Sequence, residues 1–297
     1  MSALLCEYKK IPFFHIVFGV FGCTILLLLS TGYFGDTESE NLTTISCIIS
    51  RNNINSIQLW INTLALGGSG TWLLVLLPIF CAMPYINLFS LEIKSKNYIF
   101  QLSRNKLRKY IYTKFWGCGL YCSTILSASM IIVLIISILR LGLSGIDTVY
   151  FSAPLTSYII KNPPILCAII ELICTYCIYA FIIGSITISL AVFSMNAFTS
   201  SSCVSLLLYI MGNIYNSYVG EFTRKTAECV QRGEEAPEFN HFYDFLLLGN
   251  LAHGMPDFEA NFGKNYIIFI LLEITIIALA YIVFSIFIRK KMILYGE

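Results

Sequence analysis

Six separate stretches of this chain are apolar over about the 20 residues that a helix needs to cross a bilayer core roughly 30 Å thick. They cover about 12–34, 71–89, 115–139, 164–195, 200–219 and 266–288. The fifth is the most polar, because it carries Asn213 and Asn216. In hydrocarbon a backbone must satisfy its own hydrogen bonds, so runs of this length and spacing predict an all-α membrane protein with six transmembrane helices in a single transmembrane domain, 1–297. Composition excludes a soluble alternative. Hydrophobic residues make up 57% and charged residues 12% of the chain, against about a quarter charged in a typical globular domain. Too little polar surface remains to meet water, so lipid must cover much of the exterior.

Lysine and arginine settle the expected orientation, since they gather on cytoplasmic flanks. Lys9 and Lys10 precede the first span, and Arg289, Lys290 and Lys291 follow the last. Lys94, Lys96, Arg104, Lys106, Arg108, Lys109 and Lys114 crowd the 92–114 connection, with Glu92 as its one acid. Six crossings put all three regions on one side, with both termini cytoplasmic. The opposite loops are acidic: Asp36, Glu38 and Glu40 face Arg51 in 35–70, and eight acids face Arg224, Lys225, Arg232 and Lys264 in 220–264. The first apolar run is too long for a signal peptide and no small-residue cleavage pattern follows it, so it reads as a retained helix.

The outer loops have features of their own. Residues 57–66 read as an amphipathic helix in the interface with Trp60 at headgroup level, or as an extension of the second span, and Gly67-Gly68-Ser69-Gly70 allows a turn. Residues 221–240 read as a water-exposed helix or loop, and 241–256 as a short re-entrant or interfacial helix before the last span. Asn41-Leu-Thr matches a glycosylation acceptor, a pattern common by chance. Asn162-Pro163-Pro164 is a start signal for the fourth span. That span is long enough that it must tilt, break near Gly184 or project into water.

The stretch from Phe89 to Trp116 reads FSLEIKSKNYIFQLSRNKLRKYIYTKFW. Tyr98, Ile99, Phe100 and Leu102 make a short apolar patch. Leu107, Tyr110, Ile111 and Lys114 then follow at helical spacing into the third span, and Ser103 is placed to cap that second helix. A short apolar helix tied to a basic helix that enters the membrane suits docking into a groove on a soluble partner. A basic flank held by anionic headgroups explains the lysines, but not the apolar patch.

Here the chain resembles the permease subunits of the ABC-2 type family of ATP-binding cassette transporters. The resemblance lies in Glu92, Asn97 to Leu102, Ser103-Arg104, Tyr110-Ile111 and Lys114. It implies a coupling helix that contacts an ATPase subunit through Glu92, Tyr98, Ile99, Phe100, Leu102 and Arg104. It also implies two permeases and two ATPases per transporter, with the route between the permeases. Short outer helices before the last span are similar to that family too. The sequence holds no G-x-x-x-x-G-K-[ST] phosphate loop. ATP and Mg are therefore expected in the partner, and no cofactor or enzymatic activity in this chain. Expected cargo is a peptide (an antimicrobial peptide among them), a lipid or a drug-like amphiphile, exported across a bacterial plasma membrane.

Ionisable and amide groups at bilayer depth are candidates for a translocation path: Glu171, Glu273, Asn213 and Asn216. Each has a plainer reading, the acids reaching outer headgroups and the asparagines bonding between helices. Cys174 and Cys177 have metal-site spacing but no second pair, and read as packing residues. Cys47 and Cys229 are the two cysteines placed outside, a candidate disulfide. A membrane-embedded enzyme needs a His or acid constellation that His15, His241 and His253 do not make. A stand-alone carrier or channel is the remaining alternative. No basic face with interleaved aromatics points to nucleic acid.

Overall fold

The computed structural model describes residues 11–29, 31–32, 42–50, 56–64, 75–104, 106–142, 165–232 and 262–296. Within them the protein is helical apart from one pairing of two-residue strands, β1 (Thr31–Gly32) with β2 (Leu42–Thr43), antiparallel. The helices are α1 (Phe13–Leu29), α2 (Thr44–Ser50), α3 (Ser56–Leu64), α4 (Val75–Lys94), α5 (Tyr98–Arg104), α6 (Leu107–Leu141), α7 (Ile165–Ser194), α8 (Ala197–Arg232) and α9 (Phe262–Gly296). Five contain stretches long and apolar enough to cross a membrane: α4, α6, α7, α8 and α9. α1 is apolar throughout but has 17 residues. The chain is a multi-pass membrane protein.

α6 is the central post, with α1, α3, α4, α7 and α9 packed on it. At 35 residues and 1.5 Å per residue it measures about 52 Å, longer than the hydrocarbon core. Side-chain contacts set the directions of its neighbours. Tyr121 OH donates to His15 O at 3.0 Å and Ser129 Oγ to Val20 O at 3.0 Å, so α1 runs parallel to α6. Tyr85 lies with its ring centroid 5.8 Å from that of Tyr121, and its hydroxyl donates to Lys114 O at 3.3 Å. Two turns on, Glu92 meets Tyr110, so α4 runs antiparallel to α6. So does α7, since Ser123 Oγ donates to Cys177 O at 2.6 Å and Cys118 Sγ to Gly184 O at 3.5 Å. α9 runs the same way as α7, with Ser189 Oγ on Ala280 O at 2.9 Å and the Phe193 and Phe287 rings 4.3 Å apart.

Helix faces follow side-chain size. α1 buries Gly19, Gly22, Cys23, Thr24 and Leu27 and exposes Phe13, Phe14, Phe18 and Phe21. A Cβ on Gly22 would lie 2.1 Å from the Phe80 ring, so only glycine lets α1 and α4 approach this closely. α4 itself contains a π turn, Pro78–Ala82, in which Met83 N donates to Pro78 O. Pro84 has no N–H for the Phe80 carbonyl, and the wider turn absorbs the mismatch. Between α7 and α8 the chain reverses in two residues. Met195 takes φ 49°, and Asn196 Oδ1 caps α8 by accepting from Phe198 N at 3.0 Å.

Several sequence expectations change. α4 runs to Lys94, not Phe89, while α6 starts at Leu107, in keeping with the helical spacing that leads into the third span, so Glu92 and Lys114 both stand on long helices. Ser103 does not cap α6: it lies within α5, and Lys106 stands at the cap position without a side-chain bond. α7 does not break at Gly184; the glycine instead admits α6, and a Cβ there would lie 2.8 Å from Cys122 Sγ. α8 continues past 219 to Arg232, carried by the i,i+4 pairs Glu221–Lys225 (2.8 Å) and Arg224–Glu228 (3.8 Å). Lys225 also holds the Glu221 carboxyl below its ordinary pKa. Trp60 is not at the surface: α3 is folded against α6, and the fully buried indole donates to Met130 O at 3.0 Å. An indole N–H in an apolar interior needs such an acceptor. Cys47 and Cys229 are thiols that no disulfide joins; Cys47 is buried with Ile48 and Leu59 against Leu28, Ile136 and Leu141. The re-entrant segment at 241–256, the Gly67–Gly70 turn, Asn41 and the Asn162-Pro163-Pro164 start signal lie outside the described residues.

Candidate functional site

The end of the α4–α6 hairpin gathers most of the residues singled out from the sequence. α4 closes with Ser95 N donating to Leu91 O at 2.9 Å and Lys96 N to Ile93 O at 3.1 Å. Lys96 adopts φ 59°, a left-handed conformation that costs a residue with a Cβ about 1–2 kcal/mol. That reversal lets α5 begin at once, and Ile99 N donates back to Lys96 O at 3.0 Å.

α5 presents two opposite faces. Tyr98 is 2% exposed and belongs to the protein's own core, with Leu102 packed partly buried against it. Ile99 is 46% and Phe100 73% exposed. Of the six residues expected to meet an ATPase, Ile99 and Phe100 thus face outward, while Tyr98 and Leu102 are turned in. Arg104 lies on α5, and its side chain is outside the described residues.

Glu92 is turned in as well. Its Oε2 accepts from Lys114 Nζ at 2.5 Å and its Oε1 from Tyr110 OH at 2.8 Å. The side chains of Lys114 and Glu92 are 4% and 13% exposed. Lys114 Nζ also lies 5.5 Å from the centre of the Tyr110 ring. One carboxylate therefore joins the last turn of α4 to two successive turns of α6. In so little water the pair is tied by charge-assisted hydrogen bonds stronger than neutral ones. Below it Phe115 packs on Tyr281 at 5.2 Å and on Phe284 at 5.9 Å, and Phe89 on Phe284 at 5.8 Å, which ties the hairpin to α9. Lys291 Nζ, one to two turns further along α9, donates to Val192 O at 2.6 Å at the end of α7. A cation there suits the negative end of a helix.

The clamp was the part that spacing did not reveal. Its signal was present all the same: Glu92 is the one acid in a basic segment, and Lys114 directly adjoins the apolar run that begins the third span at Phe115.

The bilayer-depth candidates do not converge. Asn213 is exposed on α8, and the Asn216 side chain is outside the described residues. Glu171 and Glu273 are each half-buried, on α7 and α9. The contact of Ser189 with Ala280 sets Glu273 level with about residue 182 of α7, roughly 16 Å along the axis from Glu171. Among the described residues no group of three or more His, Cys, Asp or Glu side chains is placed to hold a metal ion.

No family model matches this chain, and neither does any curated protein or solved structure.

Proposed function

We propose that this chain is the membrane-embedded permease subunit of a transporter driven by ATP hydrolysed in a separate polypeptide. The observation that carries the reading is the elbow: Ile99 and Phe100 stand exposed on a short helix whose two flanking long helices are locked together by Glu92, Lys114 and Tyr110. A push on Phe100 would be delivered to α4 and α6 as one body instead of being absorbed in a loop. Six crossings accord with the helix directions, since α1 and α6 run one way and α4, α7 and α9 the other, with α8 reversing after a two-residue turn. On this reading both termini and the elbow are cytoplasmic, two permeases flank the route, and the cargo is an exported peptide, lipid or drug-like amphiphile.

The test is co-purification of the tagged chain from its native membrane, with bound nucleotide-binding subunits labelled by a photoreactive ATP analogue. The unaltered chain should bring down a labelled polypeptide. Ile99→Asp with Phe100→Asp should lose it while the membrane protein still elutes as a folded species. A chain that never brings down a labelled polypeptide is a stand-alone carrier or channel, and the reading is then wrong.

A further inference from the structure

The elbow also carries information about the surface it meets. Lys94, Lys96, Lys106, Arg108 and Lys109 are all exposed around α5. The single acid of the segment does not offset them, because Glu92 is turned inward and spent on Lys114 and Tyr110. α5 has seven residues and so is about 10 Å long, close to the Debye length at physiological salt, and the fields of these cations add. In their midst stand Ile99 and Phe100. Among the described residues, the outward face of the elbow is therefore an apolar knob flanked by exposed cations and the neutral Ser95 and Asn97, with no exposed acid.

We infer that the elbow seats in a surface of the ATP-hydrolysing partner that is apolar at its centre and rimmed by aspartate and glutamate side chains. This rests on the transporter reading above and adds the chemistry of the partner. A protein surface is favoured over lipid headgroups by position. Leu107, where α6 begins, stands seven residues beyond Lys114, which places the tip about 10 Å past the level of the Glu92–Lys114 pair. The knob also points away from the core face that takes Tyr98. An apolar centre with a charged rim is the usual anatomy of a protein interface: the centre supplies affinity and the rim steers and orients.

The experiment places a photocrosslinking amino acid at position 100 of the full chain in native membranes and treats a parallel sample with a carbodiimide, which joins lysine amines to carboxylates. The position-100 adduct should contain a polypeptide that the photoreactive ATP analogue also labels. Its yield should fall about tenfold when salt rises from about 0.05 to about 0.5 M, as exposed charges are screened. Carbodiimide should give isopeptides from Lys94, Lys96, Lys106 or Lys109 to aspartate or glutamate of that same polypeptide. Replacing the four lysines by arginine should abolish the isopeptides and keep the photoadduct, whereas replacing them by glutamate should abolish both. A nucleotide-labelled photoadduct that is indifferent to salt and forms no isopeptide overturns the acidic rim and leaves the transporter reading standing. A phospholipid adduct at position 100 shows a lipid-facing elbow and overturns it as well. Failure to obtain any nucleotide-labelled adduct counts against the transporter reading itself.

Discussion

Lys114 is buried within the protein at the start of the apolar part of α6, where an ammonium without a counter-charge would be strongly disfavoured, and Glu92 reaches it from the end of α4. Such pairs stabilise little relative to apolar replacements, but removing one member strands the other. Lys114→Met or Glu92→Gln alone should therefore destabilise the protein by about 3–5 kcal/mol. Glu92→Leu combined with Lys114→Met should recover most of that loss. Thermal unfolding of the detergent-solubilised protein measures both. A double variant as unstable as either single one would mean that something other than the stranded charge sets the cost.

The contact between α1 and α4 depends on the absence of a side chain. Gly22 lies under the Phe80 ring, and Phe80 belongs to the π turn that Pro84 makes necessary. A larger residue must push the two helices apart, and Gly22→Leu should destabilise by about 1–3 kcal/mol. Gly220 supplies the control, because it is helical, on α8, and nothing lies within 4 Å of the Cβ it lacks. Gly220→Ala should stabilise by about 0.5–1 kcal/mol through helix propensity alone. Equal effects from the two substitutions, read from the same unfolding curves, would show that the tight α1–α4 approach does not exist in the membrane.

The proposed six crossings make a definite statement about sidedness. Epitope tags at the two ends should be protected together in sealed right-side-out vesicles, and a protease site inserted within 35–41 should be cut. Tags protected at one end and exposed at the other would mean that α1, the shortest of the apolar helices, does not cross. The long α8 bears on the same question. Its packed face, Ala197, Ser201, Val204, Ser205 and Leu208, ends near Gly212, and the charged turns from Glu221 to Arg232 run on as one helix. Those turns add about 18 Å of helix on the side away from the elbow.

The all-helical, multi-pass membrane class was legible along the chain, because a bilayer imposes its demand on each local run of about 20 residues. Hydropathy alone marks the hydrocarbon and not the hydrogen-bond ladder, so the end of α4 was read short at Phe89, whereas the helical spacing of Leu107, Tyr110, Ile111 and Lys114 already carried α6 back before Phe115. Which residues face inward was not legible at all. Tyr98 and Phe100 are two apart in one apolar patch, yet one is core and the other surface. Trp60 looks interfacial until α3 folds onto α6 and Met130, seventy residues away, offers a carbonyl. Glu92 reads as one more surface charge until Lys114, twenty-two residues on, is brought beside it. In each case the outcome was set by a partner distant in sequence, and only the packing of the helices determines who that partner is.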